Sequence, residues 1–426
     1  MFVIFYFGNF MTDKLYKIAF LSVHSSPLGP PGIGDTGGMS IYIRELAREL
    51  AAMGHTIDIL TRAQEPDAQE ILNFAPGARL VHIKIGEQAD IDKLLVYTAA
   101  PDFACSVENF RKAHDLKYDL IFSHYWISGI TGRYLQAGWQ VPQMTMFHTL
   151  GAIKNTLGIG EDETDLRLAE ERQVAADSRR IIASTETEKF ALQRFYDVPP
   201  EKVGILPCGV NMDMFKPMDK TAMRQKLGFG TGPVILFVGR IERLKGLERV
   251  IEALPYLSVY KPKLIIVGEE GNRAGEVQTL KLLAAKHNAS DSVVFKGLVD
   301  HEQLAEYYNA ADVCVLPSYY ESFGLVPLEA LACGTPVVAT NVGYLQHIIR
   351  DGETGYVLND YRPHNIANKI AEVLKKTKPM LQDQQLIRTS IAGYSWQKIA
   401  EGMSLEFDRL LELKPVLSTP LPSPLP

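Results

Sequence analysis

The sequence predicts an α/β protein with two doubly wound parallel-sheet domains that face a central cleft. The length of 426 residues exceeds what one hydrophobic core usually fills. Short β-branched runs alternate with helical patterns, which indicates parallel strands joined by helices. This alternation is interrupted once, near the middle of the chain. Hydrophobic residues at 46% and charged residues at 22% are ordinary globular values and exclude a long disordered or fibrous chain.

The N-terminal half alternates from Lys17 onward. Its predicted strands are KIAFLSV, HTIDILT, RLVHIKI, YDLIFSH, QMTMFH and RIIAS, with helical patterns between them, including residues 38–53 and 103–115. Strand–helix–strand order of this kind is typical of a parallel sheet. We therefore predict a first domain over residues 1–209.

The alternation stops at residues 207–217, where PCGVNMDMFKP replaces periodicity with Pro, Gly and polar residues. It resumes with VILFVG, LIIVG, VVFKG, VCVLP and PVVAT, which predicts a second domain over residues 210–392. We expect residues 393–413 to form a helix that crosses back to the first domain, and the Pro- and Ser-rich residues 414–426 to be a flexible tail. Domain closure about residues 207–217 and 390–396 is expected.

Charge is unevenly distributed along the chain. The net charge is −6, and residues 1–213 carry 20 Lys and Arg against 27 Asp and Glu, a balance of −7. This acidic half offers no footprint for nucleic acid and disfavours strong membrane binding. The first ten residues, MFVIFYFGNF, are too few to span a bilayer and lack a basic signal-peptide segment, so Met11 is a second candidate start.

The four cysteines have no C-x-x-C spacing and lie mostly in apolar surroundings, so we interpret them as buried thiols in a reducing compartment. Cytoplasmic localisation is the resulting prediction. The cysteines are Cys105, Cys208, Cys314 and Cys333.

Residues 32–37, GIGDTG, match the G-x-G-x-x-G pattern of nicotinamide dehydrogenases. Eight residues, three of them proline, separate the strand from this segment, whereas a dinucleotide turn begins at the strand end. The acidic residue expected at the end of the next strand is also missing, because Asp58 lies mid-strand. We predict instead a loop whose backbone lets a diphosphate or sugar approach the next helix. A plain flexible loop is the alternative.

Two cations and two carboxylates fall at predicted strand ends in the C-terminal half. Arg240 and Lys245 follow VILFVG, where a phosphate leaving group would need compensating charge. Glu321 precedes a helix and Glu329 lies within it, so both can face one crevice. An isolated E-x7-E is usually a solvated pair, but here it lies between a strand with Pro-Ser and the segment ACGTPVV.

Together these segments resemble family-4 retaining glycosyltransferases of the GT-B fold, in which two Rossmann-like domains face a cleft. The resemblance covers Lys17 to about Leu413. Within the family the sequence looks most like the inositol-phosphate N-acetylglucosaminyltransferases of mycothiol biosynthesis, and next like sucrose-phosphate synthases. The segments that carry it are HSSPLGPPGIGDTGGMSIYIRELAREL, SHYWISG, HTLGAIKN, FVGRIERLKG and PSYYESFGLVPLEALACGTPVV.

This resemblance implies transfer of glucose or N-acetylglucosamine from a nucleotide sugar, preferably UDP-linked, to a small phosphorylated acceptor such as inositol phosphate. Transfer to fructose 6-phosphate and transfer from GDP-mannose are the alternatives. The first domain would bind the acceptor and the second the nucleotide sugar. A phosphorylase-like or epimerase enzyme on this fold and a non-catalytic sugar-binding module are the rival classes. A pure binding module would have no need to stabilise a leaving group.

The resemblance also implies residue roles. Arg240 and Lys245 would hold the diphosphate, Glu329 the ribose, Glu321 the donor sugar, and His148 a sugar hydroxyl in the transition state. The implied catalytic set is His148, Arg240, Lys245 and Glu321. The implied donor-binding set is Gly37, Gly38, Arg240, Lys245, Glu321, Ser322, Phe323, Gly324, Leu325 and Glu329.

On the acceptor side the resemblance implies a phosphate cage of two cations and two hydroxyls, which suits a phosphorylated ligand. The chain departs from the family at four points: Ser40 replaces the Asn of the inositol enzymes, Met39 the Gln of the sucrose enzymes, Tyr344 a glycine, and Asn211 the Asp of the P-x-G-V-D segment. The implied acceptor-binding residues are His24, Asp35, Thr36, Gly38, Met39, Ser40, Lys93, Tyr125, Thr149 and Arg167.

We expect no essential cofactor and no requirement for a divalent metal. Asp90 and Asp92 spell D-x-D, a pattern of metal-dependent transferases of another fold, but they precede a helix far from the donor motifs, and we interpret them as solvated loop. The expected partners are the nucleotide sugar and the phosphorylated acceptor, and a homodimer is compatible with the sequence.

Overall fold

The computed structural model describes residues 14–29, 37–86, 89, 91–159, 162–269, 275–375 and 379–412. The first ten residues, the predicted tail 414–426, Asp35, Thr36 and Asp90 lie outside the described residues. None of the helices in the described ranges is both long and apolar enough to cross a membrane.

The described residues form two sheets. The strands of the first sheet are β1 (Lys17–Leu21), β2 (Thr56–Arg62), β3 (Ile71–Ala75), β4 (Ala78–Ile83), β5 (Leu120–His124), β6 (Gln143–Met146), β7 (Arg180–Ala183) and β8 (Val203–Ile205). The strands of the second sheet are β9 (Val234–Val238), β10 (Lys263–Val267), β11 (Val293–Gly297), β12 (Val313–Leu316), β13 (Val337–Thr340) and β14 (Gly355–Leu358).

Helices connect these strands. They are α1 (Gly38–Ala52), α2 (Lys93–Thr98), α3 (Ala100–Ala113), α4 (Trp126–Trp139), α5 (Gly151–Leu157), α6 (Asp165–Asp177), α7 (Glu186–Tyr196), α8 (Lys220–Leu227), α9 (Leu247–Ala253), α10 (Glu276–Lys286), α11 (Leu304–Ala310), α12 (Leu325–Ala332), α13 (Leu345–Ile348), α14 (Pro363–Leu374), α15 (Gln384–Thr389) and α16 (Trp396–Glu412).

The strand orders fix where a ligand can bind. The first sheet runs β3-β4-β2-β1-β5-β6-β7-β8 and the second runs β11-β10-β9-β12-β13-β14. All neighbouring strands are parallel except the edge pair β3 and β4. The direction in which successive strands are added to the sheet reverses between β1 and β5 in the first sheet and between β9 and β12 in the second. Open α/β sheets bind ligands at such switch points, outside the carboxyl ends of the strands. The predicted α/β class with two doubly wound sheets is confirmed.

Strand burial explains why the sheets are parallel. Every residue of β5, β6, β7, β9, β12 and β13 is buried, and β9 and β12 are apolar throughout. Strands of this kind need cover on both faces, which crossover helices provide. One apolar core cluster includes residues of both sheets, and Phe215 in the linker is part of it.

The last helix, α16, packs on the first domain. The Trp396 ring lies 5.4 Å from the Tyr42 ring of α1, and Ser404 Oγ lies 3.1 Å from His55 Nε2. The Arg180 Nε of β7 donates a hydrogen bond of 2.7 Å to Glu406. The C-terminal helix therefore joins the end of the chain to the first domain, while the boundaries at residues 209 and 392 stay predictions.

Three of the four cysteines, Cys208, Cys314 and Cys333, are buried thiols, as expected. The expectation is wrong for Cys105, which is exposed. Phe103, Ala104 and Val107 turn the apolar face of α3 toward the core, and Cys105 lies on the other face of the helix.

Candidate active site

Two adjacent strands of the first sheet end in residues with strained backbone. Tyr125 follows β5 with φ 77°, and His148 follows β6 with φ 62°. A positive φ is uncommon for residues other than glycine, and such residues concentrate at functional sites because the surrounding fold must hold them there. The sharp turns place both side chains at the carboxyl edge of the sheet.

His148 is held by a second histidine. His124 Nδ1 lies 3.0 Å from His148 Nε2. Burial, followed by the charge of His24, lowers the pKa of His148 to about 3, and burial with the charge of His148 lowers the pKa of His124 well below its usual range. Both rings are therefore neutral at physiological pH.

The tautomers follow from hydrogen bonding. Within the described part of the chain His124 Nε2 is buried without a hydrogen-bond partner. A buried N–H donor without an acceptor is strongly disfavoured, so the proton of His124 belongs on Nδ1 and is donated to His148 Nε2. His148 then carries its own proton on Nδ1, which makes it a hydrogen-bond donor toward a ligand.

Five of the predicted acceptor residues come together beside His148. The His24 ring lies 4.4 Å from the Tyr125 ring, and the Arg167 guanidinium carbon lies 5.0 Å from that same ring. Arg167 Nη2 donates to Thr149 Oγ1 at 3.1 Å and to the Thr149 carbonyl at 3.2 Å. Burial raises the pKa of Tyr125, and the positive charges of Arg167 and Lys93 oppose this rise. Lys93 therefore also lies near the Tyr125 ring.

Arg167 is only 4% exposed and is fixed by two carboxylates. Its Nε lies 2.8 Å from Glu171 Oε1 and its Nη1 lies 2.7 Å from Glu163 Oε1. Glu171 also accepts hydrogen bonds from Tyr196 and from the backbone of Gly151. This network sets the guanidinium in one orientation before any ligand binds, which reduces the entropy lost on binding.

The other acceptor residues within the described ranges, Gly38, Met39 and Ser40, lie in the first turn of α1. Ser40 Oγ lies 3.2 Å from Ser25 Oγ. Met39 is partly buried and packs against two apolar core clusters, one of which includes residues of both sheets. Asp92 caps α2 by accepting a hydrogen bond of 2.7 Å from the Leu94 amide, which gives this half of the D-x-D segment a structural role.

Lys245 and Glu321 form the centre of the predicted donor site. Lys245 Nζ lies 2.7 Å from Glu321 Oε1, and Ser318 Oγ donates to the same oxygen at 2.8 Å. Lys245 ends a short 3-10 turn, and Gly246 follows with φ 63°, where a Cβ would collide with the Pro317 carbonyl. A glycine is therefore required where these two loops touch.

Arg240 lies directly after β9, at the switch point of the second sheet. Its side chain is 39% exposed, and its Nη2 lies 3.7 Å from Glu242 Oε1. Compared with Lys245 it is loosely held and open to the crevice.

Glu329 is 5% exposed and lies in the middle of α12. Its Oε1 lies 2.7 Å from His301 Nε2, and its Oε2 accepts a hydrogen bond of 2.7 Å from the Tyr308 hydroxyl. Sequence reasoning missed both partners, because neither belongs to a motif and both lie more than 20 positions away. An ionised carboxylate has four lone-pair sites, so Glu329 keeps acceptor capacity for a ligand.

The two predicted residue sets meet across the cleft. A Cβ on Gly38 would lie 3.3 Å from Leu325 Cδ1, so the start of α1 faces the start of α12. No atom of the described residues lies within 4 Å of where a Cβ on Gly37 would be. Ser184 Oγ of the first domain lies 3.3 Å from the Ser322 carbonyl of the second.

Two stacked aromatic rings lie beside the loop that carries Glu321. Phe323 is buried, and the Tyr344 ring lies 5.4 Å from it at an interplanar angle of 18°. Gly324 caps α12 with φ 114°, and a side chain there would meet Leu345. Tyr344, the residue that departs from the family pattern, thus supports the loop that carries Glu321.

A cavity of about 450 Å³ opens at the carboxyl ends of β10 and β11. Its lining is partly apolar and includes three glycines, Gly268, Gly275 and Gly297. The lining residues include Ile241, Gly268, Glu269, Val277, Phe295 and Gly297.

The first sheet does not support the dehydrogenase alternative. Asp58 lies in the middle of β2 and accepts hydrogen bonds from Arg79 Nε at 2.6 Å and from the Tyr118 hydroxyl at 2.7 Å. Its carboxylate is used within the first domain, away from the strand end where a dinucleotide ribose would bind.

Two facing α/β domains with charged loops at both switch points define a two-domain glycosyltransferase of the GT-B class. Two family models agree with this class: the model described as Glycosyltransferase Family 4 matches residues 36–214, and the model described as Glycosyl transferases group 1 matches residues 219–388.

Individual proteins match over nearly the whole chain. D-inositol 3-phosphate glycosyltransferase 2 of Catenulispora acidiphila is 37% identical over 93% of this chain and 95% of its own length. The D-inositol 3-phosphate glycosyltransferase of Geodermatophilus obscurus is 36% identical over 91% of this chain and 88% of its own length. The structure of sucrose-phosphate synthase from Thermosynechococcus elongatus has a TM-score of 0.83 and 30% identity, covering 93% of this chain and 99% of that one. The chain belongs to glycosyltransferase family 4.

Proposed function

We propose that this glycosyltransferase moves glucose or N-acetylglucosamine, with retention of configuration, from a UDP-linked sugar to a small phosphorylated polyol or sugar such as inositol phosphate. The observation that carries the proposal is the Arg167, Tyr125 and Thr149 cluster, which lies across the cleft from the pair Lys245 and Glu321. A phosphate on the acceptor would add a partner to the preset guanidinium and hydroxyl groups.

The names of the relatives support a phosphorylated acceptor. Two relatives are named for D-inositol 3-phosphate, and a similar solved structure is that of a sucrose-phosphate synthase. Both names include a phosphate ester of a small polyol or sugar, which fits a cage of Lys93, Tyr125, Thr149 and Arg167.

On the donor side, Arg240 and Lys245 would bind the diphosphate and stabilise it as negative charge develops on departure. Lys245 already pairs with Glu321 at 2.7 Å. An incoming diphosphate would share the ammonium and leave Glu321 free to accept hydrogen bonds from the donor sugar. Glu329 would accept from the ribose hydroxyls, which present two donors to one carboxylate.

The chemistry would proceed on one face of the sugar. The bond between the anomeric carbon and the diphosphate oxygen breaks, the acceptor oxygen bonds to the same face, and the departing phosphate takes the acceptor proton. His148, neutral and protonated on Nδ1, would donate to a sugar hydroxyl and hold the ring. A double displacement requires a carboxylate at the reacting carbon, and the segment His148 to Asn155, HTLGAIKN, contains none. A trapped glycosyl-enzyme adduct would contradict this mechanism.

Transfer of glucose to fructose 6-phosphate is the second candidate. It is favoured by the sucrose-phosphate synthase structure and by Ser40, which replaces the Asn of the inositol enzymes. The residue Met39, where sucrose enzymes carry Gln, counts against it.

A substrate panel separates these functions. UDP-N-acetylglucosamine, UDP-glucose, GDP-mannose and ADP-glucose are each incubated with inositol phosphate and with fructose 6-phosphate, and release of nucleoside diphosphate is measured. We expect release from a UDP sugar that depends on inositol phosphate. Release that depends on fructose 6-phosphate favours the second candidate, and release from GDP-mannose alone contradicts the donor assignment.

A further inference from the structure

His301 lies where three parts of the molecule meet. Its Nε2 lies 2.7 Å from Glu329 Oε1, and its Nδ1 lies 3.5 Å from Arg44 Nη2 of the other domain. The Phe215 ring of the linker packs edge-on against the imidazole at 5.3 Å. The His301 side chain is 8% exposed.

The two ring nitrogens of His301 have opposite partners. Glu329 is an acceptor when ionised, so His301 Nε2 carries a proton and donates it. Arg44 has donors only, so His301 Nδ1 is unprotonated and accepts. A neutral imidazole with its proton on Nε2 satisfies both contacts. The histidine thus receives a hydrogen bond from the first domain and donates one to the carboxylate of the second.

The orientation of the Arg44 side chain is fixed by a neighbour on the same helix. Its Nε donates to Glu45 Oε1 at 2.9 Å, and Glu45 is buried. Arg44 lies on α1, which begins at Gly38 and faces Leu325 across the cleft. Movement of α1 relative to the second domain would therefore change the distance from Arg44 to His301.

We propose that His301 is a positioning residue: it fixes the orientation of Glu329 and links that carboxylate to α1 through Arg44. Binding of the nucleotide ribose and the position of α1 relative to the second domain then depend on each other. The inference rests on the proposed function, in which Glu329 accepts hydrogen bonds from the ribose diol. The contact from Arg44, at 3.5 Å, is at the outer limit of a hydrogen bond.

The test is the preference for ribose over deoxyribose. Dissociation constants are measured by titration calorimetry for UDP and 2′-deoxyUDP, with the matching ADP and GDP pairs run in parallel. His301→Phe keeps the ring against Phe215 but removes both hydrogen bonds, and His301→Gln retains one donor. Arg44→Gln has a matched control in Arg48→Gln, because Arg48 also pairs with Glu45, at 3.0 Å, one turn along the helix.

We expect the wild type to prefer the ribonucleotide by about tenfold or more, as a hydrogen bond to a charged group allows. His301→Phe should reduce the preference to about twofold, His301→Gln should restore part of it, and Arg44→Gln should lower it while Arg48→Gln does not. A general loss of folding weakens the binding of UDP and of 2′-deoxyUDP alike and leaves the ratio of their dissociation constants unchanged.

Failure of the inference is distinguishable from failure of the proposed function. If Glu329→Gln leaves the ribose preference intact, Glu329 does not bind the ribose and the proposed donor site is wrong. If Glu329→Gln removes the preference while His301→Phe and His301→Gln keep it, the positioning role of His301 is overturned. Equal ratios for Arg44→Gln and wild type overturn the link to α1.

Discussion

Lys245 Nζ and Glu321 Oε1 lie 2.7 Å apart, so the two charged groups predicted to serve the donor neutralise each other in the unliganded cleft. Ser318 holds the same carboxylate oxygen at 2.8 Å. Neither charge is fully desolvated, because the side chains are 21% and 13% exposed. A diphosphate can therefore compete for the ammonium without leaving a buried carboxylate unpaired.

Replacing Lys245 should impair turnover more than donor binding. We expect Lys245→Ala to lower kcat by on the order of 100- to 1,000-fold, the usual cost of removing one group that stabilises developing negative charge. Arg243→Ala is the matched control, because Arg243 lies on the same 3-10 turn and is exposed. Steady-state kinetics of nucleotide release measures both. A Lys245→Ala enzyme with raised donor KM and unchanged kcat would contradict leaving-group stabilisation.

Replacing the acceptor cations should separate the two substrates. Lys93→Ala should raise the KM for the phosphorylated acceptor by about tenfold or more, because one charge-assisted hydrogen bond is lost. The KM for the donor should change little. Lys112→Ala, an exposed lysine on α3, is the control. Equal increases of both KM values in Lys93→Ala would count against the phosphate cage.

The histidine pair should make stability depend on pH. The folded-state pKa of His148 is about 3, below the ordinary value of 6.5, so the unfolded chain binds more protons between these values. The free energy of unfolding therefore rises with pH from about 3 to 6.5 and falls on acidification through this window. Urea unfolding at pH 7.5 and pH 5 should show this loss, and His148→Gln should reduce it. The loss should be unchanged in His287→Gln, a substitution in the other domain.

Gly246 offers a test of the loop that carries Lys245. Gly246 and Gly228 both have positive φ, 63° and 69°, but a Cβ at Gly246 meets the Pro317 carbonyl, whereas none of the described atoms lies within 4 Å of one at Gly228. Gly228→Ala should cost about 1 kcal/mol of unfolding free energy from backbone strain alone. Gly246→Ala should cost more and also lower kcat. Equal costs in denaturant unfolding would show that the Pro317 contact is easily relieved.

Sequence periodicity predicted eleven of the fourteen described strands, because strands such as β9 and β12 are buried on both faces and read as unbroken apolar runs. It missed β3, β8 and β14. The placement of Tyr125 beside Arg167 followed from the family resemblance, because Arg167 lies in the first turn of α6 and not at a strand end. Strand-end position predicted that Lys245 and Glu321 face one crevice. These predictions depend on topology, which places carboxyl ends of parallel strands at one edge.

Other features could not be read from the sequence. His301 and Tyr308 act through contacts between segments distant in sequence, and neither belongs to a motif. His124 lies in the segment SHYWISG, but its contact with His148 joins two different strands and could not be read from that segment. The positive φ values of Tyr125 and His148 depend on the surrounding packing, because such a backbone is uncommon for residues other than glycine. The roles assigned to site residues, the cytoplasmic localisation, the absence of an essential metal and the homodimer stay predictions.

The central claim is that a nucleotide-sugar donor and a phosphorylated acceptor meet in this cleft. The most direct test compares nucleoside diphosphate release by the wild-type enzyme with inositol phosphate and with unphosphorylated inositol, at equal concentrations of UDP-N-acetylglucosamine. We predict a kcat/KM at least about 100-fold higher for the phosphorylated acceptor, as two charge-assisted contacts imply. Equal rates with both acceptors, or no release with either, would contradict the account.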